Sequence, residues 1–87
     1  MNKPKTQIQE VLYCLINSDS IDRRQMLLET GILNVTARIA ELRKKHSLYI
    51  SCDEIDVTNK YGRKVSYGRW SLPNKAAGIE VYEQLAA

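Results

Sequence analysis

The spacing of apolar residues changes near residue 47, from a helical period to an alternating one. The first apolar stripe follows the spacing of three and four residues that marks a helix with one buried face, and it consists of Ile8, Val11, Leu12, Leu15 and Ile16. From Leu48 onward apolar residues alternate with polar ones, as in a strand with one buried face. The chain is therefore expected to be an α+β domain, mostly α, in which helices precede strands.

Three helices are predicted before the strands. The first spans Lys5–Ser18. The second spans Asp22–Thr30, starts with Asp22 and Gln25 as a capping pair, and ends at Gly31, a residue that tolerates left-handed backbone. The third spans Leu33–His46 and turns one apolar side inward, formed by Val35, Ile39 and Leu42.

Two antiparallel strands follow, over Leu48–Val57 and Lys64–Leu72, with Trp70 expected in the core. Apolar residues change parity within both strands, which predicts a bulge or a strong twist around Asp53 and Gly68. In the connecting loop Asn59 and Gly62 suit positive backbone angles, so the pair is a hairpin with a basic tip.

The last segment is predicted to be a helix over Lys75–Leu85, capped by Asn74. Its apolar residues Ile79, Tyr82 and Leu85 either dock on the first helix or form the seam of a homodimer. With 87 residues the chain has room for one domain. Residues 1–72 form that domain, and 73–87 are a C-terminal helical extension for docking or dimerisation.

Enzyme, metal and membrane functions are not expected. The chain has one histidine, placed at a helix end, and no nucleophile or phosphate-loop motif. Cys14 and Cys52 have no partners at metal-ligand spacing and are interpreted as reduced thiols rather than a single disulfide. The acidic residues Asp53, Glu54 and Asp56 alternate between strand faces and favour a solvated edge over a metal site.

We therefore expect no catalytic residue, no metal, no cofactor and no small-molecule substrate. No apolar run resembles a signal peptide or a membrane span, which favours a cytoplasmic, nucleoid-associated protein without membrane contact.

Basic charge is concentrated in two segments. Residues 34–47 carry four basic side chains and one Glu, and residues 58–69 carry four basic side chains and no acid. These segments hold net charges of +3 and +4, whereas the whole chain has +3, so the remainder is at −4. Together with the order of helices and hairpin, this predicts a winged helix-turn-helix, with a three-helix core, a two-stranded β-hairpin wing and a C-terminal helix.

Double-stranded DNA is the expected partner, with the third helix in the major groove. The candidates to face base edges, on the arc opposite the buried side, are Asn34, Thr36, Ala37, Ala40, Glu41 and Lys44. The candidates for phosphate contact on the flanks of that helix are Arg38, Arg43 and Lys45. Glu41 is expected to pair with Arg38 or Lys45 across one turn. The wing candidates are Asn59, Lys60, Tyr61, Arg63 and Lys64, with Tyr61 either in the minor groove or a plain loop residue.

Two runs of sequence resemble a family of small winged helix-turn-helix domains of bacteriophages and mobile elements. They are Ala37-Arg38-Ile39-Ala40-Glu41-Leu42-Arg43-Lys44 and Asn59-Lys60-Tyr61-Gly62-Arg63-Lys64-Val65. The resemblance covers roughly residues 6 to 72; Asp22 stands where that family more often has Thr, and the final segment extends beyond it. It implies DNA binding in transcriptional regulation or as a recombination accessory factor.

Two other functions remain open on the residues alone. A protein-interaction module would use the basic face and the C-terminal helix, and an RNA-binding protein would use the same charges. Salt-sensitive retention on bulk DNA is expected only for nucleic-acid binding. The charge map predicts that Arg38→Ala and Lys44→Ala each weaken DNA binding.

Overall fold

The computed structural model describes residues 2–86, which form an α+β fold of four helices and a three-stranded antiparallel sheet. The elements in chain order are α1 (Gln7–Ile16), β1 (Ile21–Asp22), α2 (Arg23–Thr30), α3 (Val35–Lys45), β2 (Ser51–Thr58), β3 (Lys64–Ser71) and α4 (Lys75–Ala86). The sheet order is β1-β3-β2. The molecule is elongated, with extents of 49 × 22 × 20 Å.

The capping residues set the helix starts. The Asp22 carboxylate accepts from the Gln25 amide at 2.7 Å, and the Gln25 side chain accepts from the Asp22 amide, which confirms the predicted pair. Gly31 ends α2 with φ 72°, also as predicted. Thr6 forms a second capping box with Gln9, so α1 begins at Gln7 and is shorter than the predicted helix.

The third helix is also shorter than predicted, because the residues at both ends of the predicted range lie outside it. Asn34 occupies the N-cap, so α3 starts at Val35 rather than Leu33. At the other end His46 is the C-cap, and Ser47 adopts a left-handed φ of 53° that turns the chain. The predicted buried side is confirmed: Val35, Ile39 and Leu42 are all within the core.

The core lies between the helices and the base of the sheet. The stripe of α1 supplies Val11, Leu12 and Leu15, and α2 supplies Met26. Trp70 is buried, as predicted. Burial of such side chains stabilises the fold by about 1.5–3 kcal/mol each before the loss of conformational entropy is subtracted.

One strand was not predicted. β1 contains only Ile21 and Asp22, which pair with Trp70 and Arg69 of β3. Two residues are too few to produce an alternating pattern, so this strand exists only because β3 offers it an edge.

The predicted bulge is wrong. β2 and β3 pair one to one from Ser51↔Ser71 to Thr58↔Lys64, including Asp53↔Arg69 and Glu54↔Gly68. The parity change arises because the apolar residues at the two ends of the hairpin lie on opposite faces. At the base Trp70 faces the core, whereas farther out Val57, Val65 and Tyr67 face α2.

The first strand also begins later than predicted, at Ser51 rather than Leu48, and Cys52 within it is exposed. Leu48 and Ile50 are buried in the segment that precedes the strand.

The C-terminal helix α4 packs on α1 of its own chain. Asn74 caps it as predicted, accepting from the Ala77 amide at 3.0 Å. Tyr82 is fully buried and stacks at a tilt on Tyr13, with ring centroids 5.8 Å apart. The predicted apolar face is only partly right, because Ile79 is 40% exposed and Val81 is buried instead. Leu85 packs against the edge of the core.

Candidate functional site

The outward face of α3 carries small and polar side chains. Asn34, Thr36 and Lys44 are exposed, and Ala37 and Ala40 are half-buried. The side chain of Asn34 makes no capping hydrogen bond although the residue is at the N-cap. Its amide is therefore free to donate and accept towards a ligand.

The start of α2 is tied to the start of α3. The Arg23 guanidinium donates to the Thr36 hydroxyl at 3.0 Å. Arg24 follows as a second exposed arginine. Arg23 adds positive charge beside the predicted arc of α3, and sequence analysis assigned neither arginine to the site. The pattern that could have found them is two adjacent arginines directly after a helix cap, in the helix that precedes α3.

Arg38 and Glu41 form an ion pair. Their closest side-chain atoms, Nη2 and Oε1, are 2.6 Å apart, which confirms the predicted pairing across one turn. Arg38 also donates to the Gln7 side chain at the beginning of α1, at 3.4 Å. Its charge is therefore balanced within the chain, and its guanidinium points to α1.

Two other arginines of the basic segments hold the fold together. Arg43 donates through Nε and Nη2 to the Ile50 carbonyl, at 3.2 and 2.5 Å, and thereby fastens the last turn of α3 to the chain before β2. Arg69 donates to the Ser20 hydroxyl at 3.0 Å and to the Ser20 carbonyl at 3.2 Å. A guanidinium held in this way must break these bonds before it can bind a phosphate.

The hairpin tip is organised by the side chain of Asn59. Its Oδ1 accepts from the amides of Tyr61 and Arg63, at 2.9 and 3.0 Å. Gly62 has φ 85°, as predicted, but Asn59 does not have a positive φ, so that part of the prediction was wrong. Asn59 shapes the turn through its side chain rather than through its backbone angle.

The remaining tip residues project into solvent. Lys60, Tyr61, Arg63 and Lys64 are all exposed. The Lys60 ammonium lies 5.2 Å from the centre of the Tyr61 ring, a contact worth about 0.5–1 kcal/mol at an exposed position. This pair presents an aromatic edge and a positive charge together.

The structure brings no metal-binding cluster together in residues 2–86. No group of three His, Cys, Asp or Glu side chains in that range is placed to hold a metal ion. Both cysteines are free thiols, and burial, with the charges of nearby glutamates, raises the pKa of Cys14. Over the same range no helix has both the length and the apolar character needed to cross a bilayer.

A scan against protein-family models found no match to the chain, and a search of curated proteins found no significant relative.

Proposed function

We propose that the chain is a winged helix-turn-helix protein that binds double-stranded DNA. In this proposal α2 and α3 are the helix-turn-helix, α3 enters the major groove, and the β2–β3 hairpin is the wing. The regulatory role in a bacteriophage or mobile element rests on the sequence resemblance alone. A location with the nucleoid in the cytoplasm follows from the proposed partner.

The observation that carries the proposal is the position of Arg23. Its guanidinium binds Thr36 on α3. Its side chain also lines a surface cleft of the protein together with Val65 of the hairpin. The start of α3, the start of α2 and the hairpin are therefore contiguous. In this arrangement α3 and the hairpin can enter adjacent grooves of a duplex, and the arginines between them can face the intervening phosphates. This geometry is suited to binding double-stranded DNA.

The electrostatics separate the basic residues into two groups. Arg38 is paired with Glu41, and Arg43 is bound to a backbone carbonyl. Five exposed cations on α3 and the hairpin form no ion pair with any residue in the range 2–86, and these are Lys44, Lys45, Lys60, Arg63 and Lys64. We assign phosphate contact to this second group, together with Arg24.

The outward face of α3 has the chemistry for base contact. The free amide of Asn34 can pair with adenine, and the methyl groups of Ala37 and Ala40 can contact thymine. Because both alanines are small, the helix axis can approach the groove floor closely. Tyr61 extends from the hairpin tip towards the minor groove, where its ring can lie against sugars.

The test begins with selection of bound sequences from a random duplex pool at two salt concentrations. Fluorescence anisotropy on the enriched duplex then gives the slope of log affinity against log salt. Each lost phosphate contact reduces the magnitude of this slope by about 0.9. Lys60→Ala and Lys44→Ala are expected to do so, whereas Arg38→Ala should change the slope less, because Glu41 already balances its charge.

Lys3→Ala is the matched control, since it removes one exposed positive charge outside the proposed surface. Its slope should equal that of the unmodified protein. The proposal fails if no duplex is retained at low salt. Equal effects of Lys3→Ala and Lys60→Ala would show nonspecific attraction and refute the assigned surface.

A further inference from the structure

An open apolar groove separates α2 from the outer half of the hairpin. It has a volume of about 560 Å³, and its apolar walls are Leu27 of α2 and Val57, Val65 and Tyr67 of the hairpin. Three of these side chains are well exposed: Leu27 at 38%, Val57 at 37% and Tyr67 at 38%. Among the described residues of α2, Leu27 is the one apolar side chain that lines this groove.

The strand register concentrates the apolar residues on this face. Val57 pairs with Val65, and Ile55 pairs with Tyr67, so these four side chains share one side of the hairpin. Glu54 and the residues that alternate with the apolar set lie on the other side. A hairpin that only presented basic residues to phosphates would have no need for this apolar surface.

Charge at the groove is positive on the helix side. Arg23 and Arg24 line it at the first turn of α2. Asp22 also lines it, but its carboxylate is bound to the Gln25 amide as the helix cap. The groove therefore combines an apolar floor with two cations, and it complements a ligand that is apolar and acidic.

The adjoining edge of β3, from Lys64 to Gly68, has no strand partner in residues 2–86. β1 pairs only with Trp70 and Arg69, and after Asp22 the chain turns into α2. The edge from Lys64 to Gly68 thus continues past the end of β1. An extended segment laid along this edge could pair with its backbone and place alternate side chains in the groove.

From this geometry we propose that the groove binds an extended segment of a partner protein that has aliphatic residues at alternate positions and acidic residues at the end nearer the first turn of α2. The aliphatic side chains contact Leu27, Val65 and Tyr67, and the carboxylates at the end of the segment pair with Arg23 and Arg24, which line the groove at the first turn of α2. This inference does not rest on DNA binding, because the groove residues other than the two arginines have no role in the proposed DNA surface.

The experiment uses the whole chain and a fluorescein-labelled ten-residue peptide in which Leu and Val alternate with Thr and Glu residues stand at both ends. A second peptide has Lys in place of every Glu. Binding is measured by anisotropy in the absence of DNA, and amide shifts in two-dimensional NMR locate the contact. The acidic peptide should bind with micromolar affinity and shift the amides of Val65 and Tyr67, whereas the basic peptide should not bind.

Two neutral substitutions on neighbouring residues test the location. Leu27→Asn removes an apolar wall of the groove and should weaken binding by about tenfold. Leu28→Asn is the matched control, because Leu28 is 76% exposed and lies outside the groove, and it should leave affinity unchanged. Arg24→Gln should weaken binding by about two- to fivefold.

Several outcomes would overturn the proposal. These are no amide shift at about 1 mM peptide, equal binding of the acidic and basic peptides, or equal effects of the two leucine substitutions. If Leu27→Asn changes the sedimentation of the protein without peptide, the groove belongs to a second copy of the chain instead. None of these results bears on DNA binding, which is measured separately.

Discussion

Replacing Lys75 by Met should destabilise the protein more than replacing an exposed lysine does. The Lys75 ammonium, at the start of α4, donates to the Leu15 carbonyl at 2.7 Å and to the Ser18 carbonyl at 2.6 Å. Both carbonyls lie at or just beyond the end of α1, where the helix dipole is negative and its last carbonyls have no helical partners. Lys75 thus fastens the C-terminal helix to the first helix.

The magnitude follows from these contacts. A hydrogen bond to a charged group contributes about 1.5–3 kcal/mol, and the two bonds here share one half-buried cation. Methionine keeps most of the aliphatic stem, so the packing contribution is largely retained. Water can reach part of the site and offsets some of the loss. We expect the free energy of unfolding to fall by about 2 kcal/mol, equivalent to a decrease in Tm of about 8–16 °C.

Urea and thermal unfolding followed by circular dichroism measure this effect. Lys3→Met is the control, because Lys3 is exposed, and the change in free energy should be within about 0.5 kcal/mol of zero. Both proteins should unfold at midpoints that do not depend on protein concentration, since α4 docks on its own chain. If Lys75→Met and Lys3→Met are equally stable, the inferred attachment of α4 is wrong. A midpoint that rises with concentration would instead assign the helix to a homodimer.

Three further predictions concern thiol reactivity, the end of α3 and helix packing. Exposed Cys52 should react quickly with a disulfide reagent at pH 8 and Cys14 slowly, because burial raises the pKa of Cys14 and shields it; equal rates would contradict this. Ser47→Gly should raise the free energy of unfolding by about 0.5–1 kcal/mol, since φ 53° strains any residue with a Cβ; a lower urea midpoint would refute it. Gly78→Ala should lower stability by about 1 kcal/mol despite better helix propensity, because the new Cβ would clash with a methyl group of buried Leu72. Leu72→Ala should relieve this clash, and thermal unfolding of the single and double variants tests it.

The charge map shows how far the sequence goes towards the site. It identifies two basic segments, but it counts Arg43 and Lys44 as equal. Only the fold reveals that Arg43 is bound to the Ile50 carbonyl while Lys44 is exposed without an ion pair in residues 2–86. Arg23 was missed for the same reason, because its contact with Thr36 joins two helices.

The sequence by itself determines the features that depend on near neighbours. The capping pair of Asp22 and Gln25, the left-handed turn at Gly31 and the buried side of α3 each involve residues within about four positions, so the pattern contains all the necessary partners.

Features that join distant parts of the chain were decided by the tertiary structure. β1 exists because Trp70 and Arg69 pair with it. The outer half of the hairpin turns its apolar face towards α2, opposite to the face that Trp70 buries at the base. Lys75 finds its acceptors 57 and 60 positions away. No local pattern records such partners. The packing of helices and strands decides which polar side chains remain exposed for binding. This packing is fixed only when the core assembles.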